Sequence, residues 1–263
     1  MKPYRAVFSA RFRMLLQYRT AALAGCATQL FWGIIRMMIF AGFYAVSTAT
    51  QPMTYPEVVN YIWLGQATIL LTIMHSDAEV RSMIRSGAVV YEMARPVDLY
   101  RLWYCRAVAG RAAPLLLRML PIFLVAFLCF GFALPASPVA GLLWALATVG
   151  ALLLASSFSA LLTITHLWTI AGDGVNRILP MFIYAFSGMI VPLPFFPDSL
   201  QPLLRLLPFR GVADTPFRIY MGHIPPAEAV LAVLHQLAWT TVLILFGNWL
   251  LRRGTRRLVV QGG

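Results

Sequence analysis

The sequence is poor in charged residues, above all in acids and lysine. Only 11% of its 263 residues are charged, nine are Asp or Glu, and Lys2 is the sole lysine, whereas 60% of the residues are hydrophobic. An average soluble domain carries about 25% charged residues and uses them to cover its surface. The composition therefore excludes an ordinary soluble domain and predicts that apolar surface faces lipid.

The shortage of reactive residues excludes several kinds of chemistry. A nucleotide-binding P-loop needs a lysine after its glycines, and HExxH, GxSxG and GxGxxG patterns are missing as well. Cys26, Cys105 and Cys129 are isolated and lack metal-ligand spacing. His166 and His235 lie in apolar segments, where packing is favoured over paired ligation of a haem. We predict that the chain is not an enzyme by itself and binds no metal or cofactor.

Apolar runs of about 20 residues predict six membrane helices in one all-α domain covering 1–263. The predicted spans are at about 20–48, 57–75, 114–134, 139–170, 177–196 and 227–251. The second is the weakest because Asn60 and Gln66 lie inside it, and Pro114 and Pro121 interrupt the third. Before the first span, the repeat of aromatic residues in 1–19 predicts an amphipathic helix on the lipid headgroups, with one face formed by Tyr4, Phe8, Phe12 and Leu15.

The distribution of basic residues predicts the orientation. Of the 21 Lys and Arg residues, 17 fall before the first span, in the 75–118 and 171–177 connections, or after the last span, and three fall in the opposite connections. Cytoplasmic loops carry the excess of basic residues. Both termini and region 76–111 are therefore predicted to be cytoplasmic. Because the arginines alternate with apolar runs, nucleic-acid binding is not expected.

Polar residues form stripes along several predicted spans. Arg36 is the most costly, because an arginine near a bilayer centre costs at least about 2.5 kcal/mol and must face protein or water. We predict that the stripes line a translocation path or an interface with a second membrane subunit; close helix packing is the alternative, and it is favoured for the small and hydroxyl residues but not for Arg36. The residues assigned to this role are Gln29, Gly33, Arg36, Thr68, Thr72, Ser159, Thr163 and His166.

Segment 77–87 predicts a short cytoplasmic helix. Acids lie in its first turn, arginines follow, and Gly87 supplies a stop signal. Pro96 then forces a bend before a return helix that contains Trp103 and Tyr104. The mixture of apolar and basic residues favours docking of a soluble partner over a solvated loop.

The fifth predicted span ends at a cluster of prolines. Pro192, Pro194 and Pro197 lie within six residues, and no continuous helix tolerates them. We predict a break there, at Gly188, Pro192 and Pro197, and a re-entrant outer-leaflet cap over 197–226. A freely mobile outer loop is the alternative.

Two motifs resemble a known family. The run from Ile84 to Gly87 and on to Arg95, Pro96 and Asp98 is similar to the IRxGxxxxxLxRPxD signature of type-2 ATP-binding-cassette exporter permeases, with Met93 in place of the usual leucine. The run Ser187–Pro197, followed by Leu207-Pro208-Phe209, resembles the end of their fifth helix. The chain looks closest to the bacterial subfamily of about 260 residues with six spans and no fused ATPase.

The resemblance implies a half-transporter. Two permeases, identical or paralogous, would form the path for a hydrophobic or amphipathic substrate, and a dimer of a separate cytoplasmic ATPase, which binds ATP and Mg, would drive export. The 77–87 helix would couple the two, through Asp77, Glu79, Arg81, Arg85, Gly87, Arg95 and Pro96. The alternatives are an ion-coupled carrier or channel, active by itself, and a membrane enzyme or redox subunit.

Overall fold

The regular structure of the described residues is entirely helical. The computed structural model describes residues 2–169 and 173–256, so that the predicted end of the fourth span at 170 and Arg257 of the basic C-terminus lie outside it. In chain order the helices are α1 (Lys2–Leu16), α2 (Arg19–Val46), α3 (Tyr55–Thr68), α4 (Ala78–Ser86), α5 (Val89–Met93), α6 (Leu99–Cys129), α7 (Pro138–Thr165), α8 (Asp173–Phe186), α9 (Gln201–Leu206), α10 (Asp214–Tyr220) and α11 (Pro226–Thr255). Short 3-10 turns occupy Ile69–Leu71, Leu193–Phe195 and Phe209–Val212.

Four of the described helices are long and apolar enough to cross a membrane. These are α2, α6, α7 and α11, of 28, 31, 28 and 30 residues. Helices α3 and α8 have 14 residues each, which is about 21 Å of helix against about 30 Å of hydrocarbon. The structure thus supports a multi-pass membrane protein, and the predicted count of six spans is not confirmed.

Helix α6 runs unbroken through both of its prolines, and its start differs from the prediction. It begins at Leu99 and contains Pro114 and Pro121, whereas the sequence indicated a span from about 114 that these residues interrupt. Proline removes one backbone hydrogen bond, but neighbouring helices hold the chain in place. Here α1, α2, α3 and α7 pack along α6. The return helix and the third span are therefore one element.

A helix forms in the predicted N-terminal segment as α1, and part of it lies against α6 rather than on lipid alone. Tyr4 and Val7 join the cluster around Tyr100 and Trp103, and the Tyr4 hydroxyl accepts a hydrogen bond from the Asp98 backbone N–H at 2.8 Å. Arg5 and Arg13 are exposed, as their position off the apolar face predicts. Helix α1 is thus attached to the bundle by packing.

Helix α3 forms the centre of the molecule although its segment is the weakest predicted span. Tyr61, Trp63 and Leu64 are at most 1% exposed, and α2, α6 and α10 surround the helix. In contrast, only 11% of the apolar window of α2 is buried, and Trp32, Met38 and Ile39 are exposed. An apolar exposed surface of this kind is suited to lipid or to a second membrane subunit.

The chain breaks after α8, as predicted, but slightly earlier than the prolines. Helix α8 ends at Phe186 and Gly188 adopts φ +89°. Pro192 and Pro197 flank the 3-10 turn that follows the break. Short helices α9 and α10 then fold back, and α10 packs on α3 and α7. Segment 212–217 is buried throughout, so this part of the connection is packed structure.

Candidate functional site

Helix α4 begins and ends where the sequence predicts, because its stop signals are local. The Asp77 carboxylate accepts hydrogen bonds from the backbone N–H groups of Glu79 and Val80 at 3.0 and 3.3 Å. At the other end, Gly87 adopts φ +76°, a conformation that residues with a Cβ rarely take. Val80 is the buried residue of the helix, so α4 lies on the bundle surface.

A cluster of ion pairs holds the first turn of α4 to two other helices. Arg106 of α6 lies 3.4 Å from Asp77 and 3.2 Å from Glu92, and it also contacts Glu79. Arg11 of α1 lies 3.1 Å from both Asp77 and Glu79. Because Arg106 and Glu92 are buried, their attraction is only weakly screened by solvent. We call these five residues the anchor cluster.

The anchor cluster divides the predicted coupling residues into two groups. Asp77 and Glu79 are bound within the chain, and Arg81 is partly buried. The remaining four are exposed, and none has a side-chain hydrogen-bond or ion-pair partner among the described residues, namely Arg85, Gly87, Arg95 and Pro96. Tyr91, at 77% exposure, lies in the same segment. The exposed group can accept a partner without breaking contacts inside the chain.

A cavity of about 250 Å³ opens beside the anchor cluster. It is lined by Arg11, Asp77 and Arg106 of the cluster, together with His75, Arg111, Ser159 and Thr163. Arg111 is buried and donates to the Ile73 carbonyl at 3.3 Å and to the Ser159 hydroxyl. The Asp77 backbone N–H donates to Thr163 Oγ1 at 2.9 Å. The stripe on α7 therefore faces this cavity and the start of α4.

The other polar stripe residues lie inside the bundle. His166 Nε2 lies 3.0 Å from Ser76 Oγ. The hydroxyls of Thr68 and Thr72 donate to the carbonyls of Leu64 and Ile69 at 2.7 and 2.8 Å. These contacts satisfy the two threonine hydroxyls and Nε2 of the imidazole within the chain.

On α2, Gln29 and Gly33 belong to the buried face of the helix. Gly33 lies so close to α3 that an added Cβ would overlap the Trp63 ring. The structure thus places Gly33 in the contact between α2 and α3 and Gln29 inside the bundle.

Arg36 lies in the C-terminal half of α2, beside the break after α8. Its Nη2 donates to the Ile190 carbonyl at 2.8 Å. Residues 187–191 are not helical, so the Ile190 carbonyl does not accept a hydrogen bond within a helix and is available to Arg36. A backbone carbonyl is one of the polar partners expected for an arginine at this depth.

A buried carboxylate that the sequence did not reveal lies close to this break. Asp214 is 2% exposed and accepts a hydrogen bond from the Tyr61 hydroxyl at 3.1 Å, and Arg218 lies 4.0 Å away. Gly188 packs directly on this pair, since an added Cβ would overlap the Tyr61 hydroxyl and lie 3.0 Å from the Asp214 Cβ. The break, the cap and the central helix thus meet at one point.

The family comparison agrees with this architecture. The model of the ABC-2 family transporter protein matches residues 29–262, from the middle of α2 to the C-terminus. The chain belongs to the ABC-2 transporter family. Its length and helical content agree with an ABC-2 permease, the membrane component of ABC transporters, which is typically not catalytic. No curated protein matches the chain significantly.

Membership of the ABC-2 family confirms the resemblance drawn from the two motifs. Both motif regions, the one ending at Asp98 and the one around Ser187–Pro197, lie within the matched range. In the structure the first contains α4 and α5 and the second contains the break after α8. An ABC transporter contains an ATPase, so a partner ATPase is implied for this permease.

Proposed function

We propose that this ABC-2 permease is one half of an ATP-driven exporter and that α4 transmits movement from a separate cytoplasmic ATPase. The observation that supports this most strongly is the division of α4 and its flank into an anchored turn and an exposed turn. The anchor cluster joins α4 to α1 and α6, and Arg85 and Arg95 remain exposed. A force applied to the exposed turn would therefore move the long helix α6.

The cavity beside the anchor cluster suits the inner end of a translocation path. Ser159, Thr163 and Arg111 contribute polar groups to it, and Leu15, Trp103 and Ala107 contribute apolar surface. Of the residues predicted for the path or the permease interface, Ser159 and Thr163 line this cavity, and we assign these two to the path. We assign Arg36, beside the break after α8, to the path or to the permease interface. The remaining five are packed inside the bundle, which favours close helix packing for them, namely Gln29, Gly33, Thr68, Thr72 and His166. A path of this chemistry suits a hydrophobic or amphipathic substrate. The exposed apolar face of α2 offers a contact for a second permease, identical or paralogous.

We further propose a six-span topology in a bacterial inner membrane, with both termini and region 76–111 in the cytoplasm. Helices α3 and α8 reach across together with the 3-10 segments that follow them. Single cysteines placed at positions 90 and 255, in a chain without its natural cysteines, should resist a membrane-impermeant maleimide on intact cells and react after permeabilisation. Strong labelling on intact cells would contradict this topology. A cysteine at Asp198 provides the control and should react from outside.

The coupling proposal predicts that Arg85→Glu disrupts the complex without disturbing the permease fold. Arg85 is exposed and has no partner in the described chain, whereas a charge-assisted contact to an ATPase is worth about 1.5–3 kcal/mol. We expect the ATP hydrolysis that co-purifies with the permease from native membranes to fall about tenfold or more. The melting temperature of the purified permease should stay unchanged.

Arg252→Glu is the matched control, because it makes the same charge change at an exposed position at the end of α11. It should retain the co-purifying ATPase activity. If Arg85→Glu and Arg252→Glu retain the same co-purifying ATPase activity, the proposed role of α4 is contradicted. A permease that carries substrate down an ion gradient, with no ATPase present, would instead establish the carrier alternative.

A further inference from the structure

The three arginines of the predicted outer connections converge on one cleft. Arg205, Arg210 and Arg218 come from the end of α9, the 3-10 turn and α10, and all three line a notch of about 20 Å³. Leu193, Pro194 and Leu204 form its apolar wall. Three of the 21 basic residues of the chain are found in the outer connections, and the fold brings all of them together.

The cleft lies at the far end of the bundle from α4. Helix α7, 28 residues and therefore about 42 Å long, connects the two ends. At its start, the Ala136 backbone N–H donates to the Tyr220 carbonyl at the end of α10, at 3.0 Å. At its other end, Thr163 accepts from Asp77 at the start of α4. The cleft is thus separate from the cavity and from the anchor cluster.

The positive charge in the cleft is not balanced. Asp214 is the carboxylate that lines it, and this group already accepts from Tyr61 and lies 4.0 Å from Arg218. Arg205 donates to the neutral Gln201 side chain at 3.2 Å. Asp198 accepts from Gln201 at 3.4 Å and does not line the cleft. Three guanidinium groups therefore share one carboxylate.

Arg210 is the residue that most needs a ligand. Within the described chain it has no hydrogen-bond or ion-pair partner, and its Nε is buried. Burial lowers the pKa of the Arg210 guanidinium, and Arg205 and Arg218 act in the same direction, whereas Asp214 opposes them. A bound anion would supply the missing acceptors and offset the repulsion among the arginines.

We propose that this cleft binds an anionic phosphate group through Arg205, Arg210 and Arg218. Arginine binds phosphate oxygens in bidentate geometry, and the notch has room for about one oxygen, so that the rest of the group would lie at its mouth. Leu200, Leu203 and Leu206 are exposed around the same short helix, and this apolar rim suits the acyl chains of a phospholipid. The site does not depend on the proposed export function.

The test measures retention of phosphatidylglycerol by the purified full-length chain in detergent, using native mass spectrometry. Arg210→Gln should lower the retained lipid at least tenfold. Arg205→Gln should also lower it and should leave the fold unchanged, because Arg205 is exposed and its one hydrogen-bond partner among the described residues is the Gln201 side chain. Arg101→Gln changes an exposed arginine on α6 and is the control. Phosphatidylcholine, which has no net charge, should be retained less well than phosphatidylglycerol by the unchanged protein.

Inorganic phosphate separates the two possible sources of the group. If millimolar phosphate fails to displace phosphatidylglycerol, the site recognises a lipid headgroup, and if it displaces the lipid, the site accepts a free phosphate. Both results support the anion site. Equal retention of phosphatidylglycerol by Arg210→Gln, Arg205→Gln and Arg101→Gln would overturn it. If Arg210→Gln does not fold, the comparison between Arg205→Gln and Arg101→Gln decides.

Discussion

Gly188→Ala is expected to destabilise the permease by about 3 kcal/mol or more. Gly188 adopts φ +89°, and a Cβ there would displace the Tyr61 hydroxyl from its hydrogen bond to Asp214. The backbone strain costs about 1–2 kcal/mol, and loss of a hydrogen bond to a buried charged group adds about 1.5–3 kcal/mol. The melting temperature of the detergent-solubilised chain should fall clearly, and part of the protein should aggregate.

Gly42→Ala is the control for this variant. Gly42 lies in helix α2, does not have a positive φ, and has nothing within 4 Å of an added Cβ. Alanine is favoured over glycine by about 1 kcal/mol in a helix, so Gly42→Ala should melt at the same temperature or higher. A second variant, Tyr61→Phe, removes the hydroxyl and should lower the melting temperature less than Gly188→Ala. If Gly188→Ala melts at the same temperature as the unchanged protein, the close contact of Gly188 with Tyr61 and Asp214 is contradicted.

Arg106→Met is expected to release the start of α4 from the bundle. Arg106 is buried and contacts three carboxylates. Of these, Glu92 is also buried, and among the described residues its one further donor is the Trp103 indole N–H. Removing one partner of a buried ion pair typically costs about 3–5 kcal/mol, because the other charge is left uncompensated. Trypsin should then cleave after Arg81 and Arg85 far more rapidly than in the unchanged protein.

A matched pair of variants separates the loss of charge balance from the loss of packing. Arg101→Met replaces an exposed arginine one turn and a half earlier on α6 and should leave the rate of cleavage unchanged. Adding Glu92→Gln to Arg106→Met removes one of the uncompensated charges and should restore part of the melting temperature. If the single and double variants are cleaved at the same slow rate as the unchanged chain, the anchor cluster does not hold α4.

The sequence predicted α4 well because all of its signals lie within eleven residues. The Asp77 cap, the acidic first turn and the Gly87 stop act on the local backbone, whatever surrounds the helix. The break after α8 was predictable for a similar reason, since its glycine and prolines act locally. Hydropathy was a weaker guide to α3, because this helix is surrounded by protein and its polar residues meet other helices rather than lipid.

Contacts between residues far apart in the chain could not be predicted from the sequence. Asp214 and Tyr61 are separated by 153 positions, and neither segment shows a pattern that pairs them. The sequence showed the three arginines of the cleft only as basic residues of the outer connections, without any sign that they come together. Helix α6 was divided because proline acts locally, whereas its continuity depends on α1, α2, α3 and α7 packed along it.

The burial of α3 has a consequence for the order of biosynthesis. This helix is short, contains Asn60 and Gln66, and is enclosed by α2, α6 and α10. A ribosome delivers α10 long after α3 has left the exit tunnel, so the nascent helix must wait without its final neighbours. During that interval its polar side chains need water, the insertion machinery or a chaperone. Helix α3 should therefore be the last of the central helices to reach its final depth, and synthesis halted before α10 should leave it accessible to water.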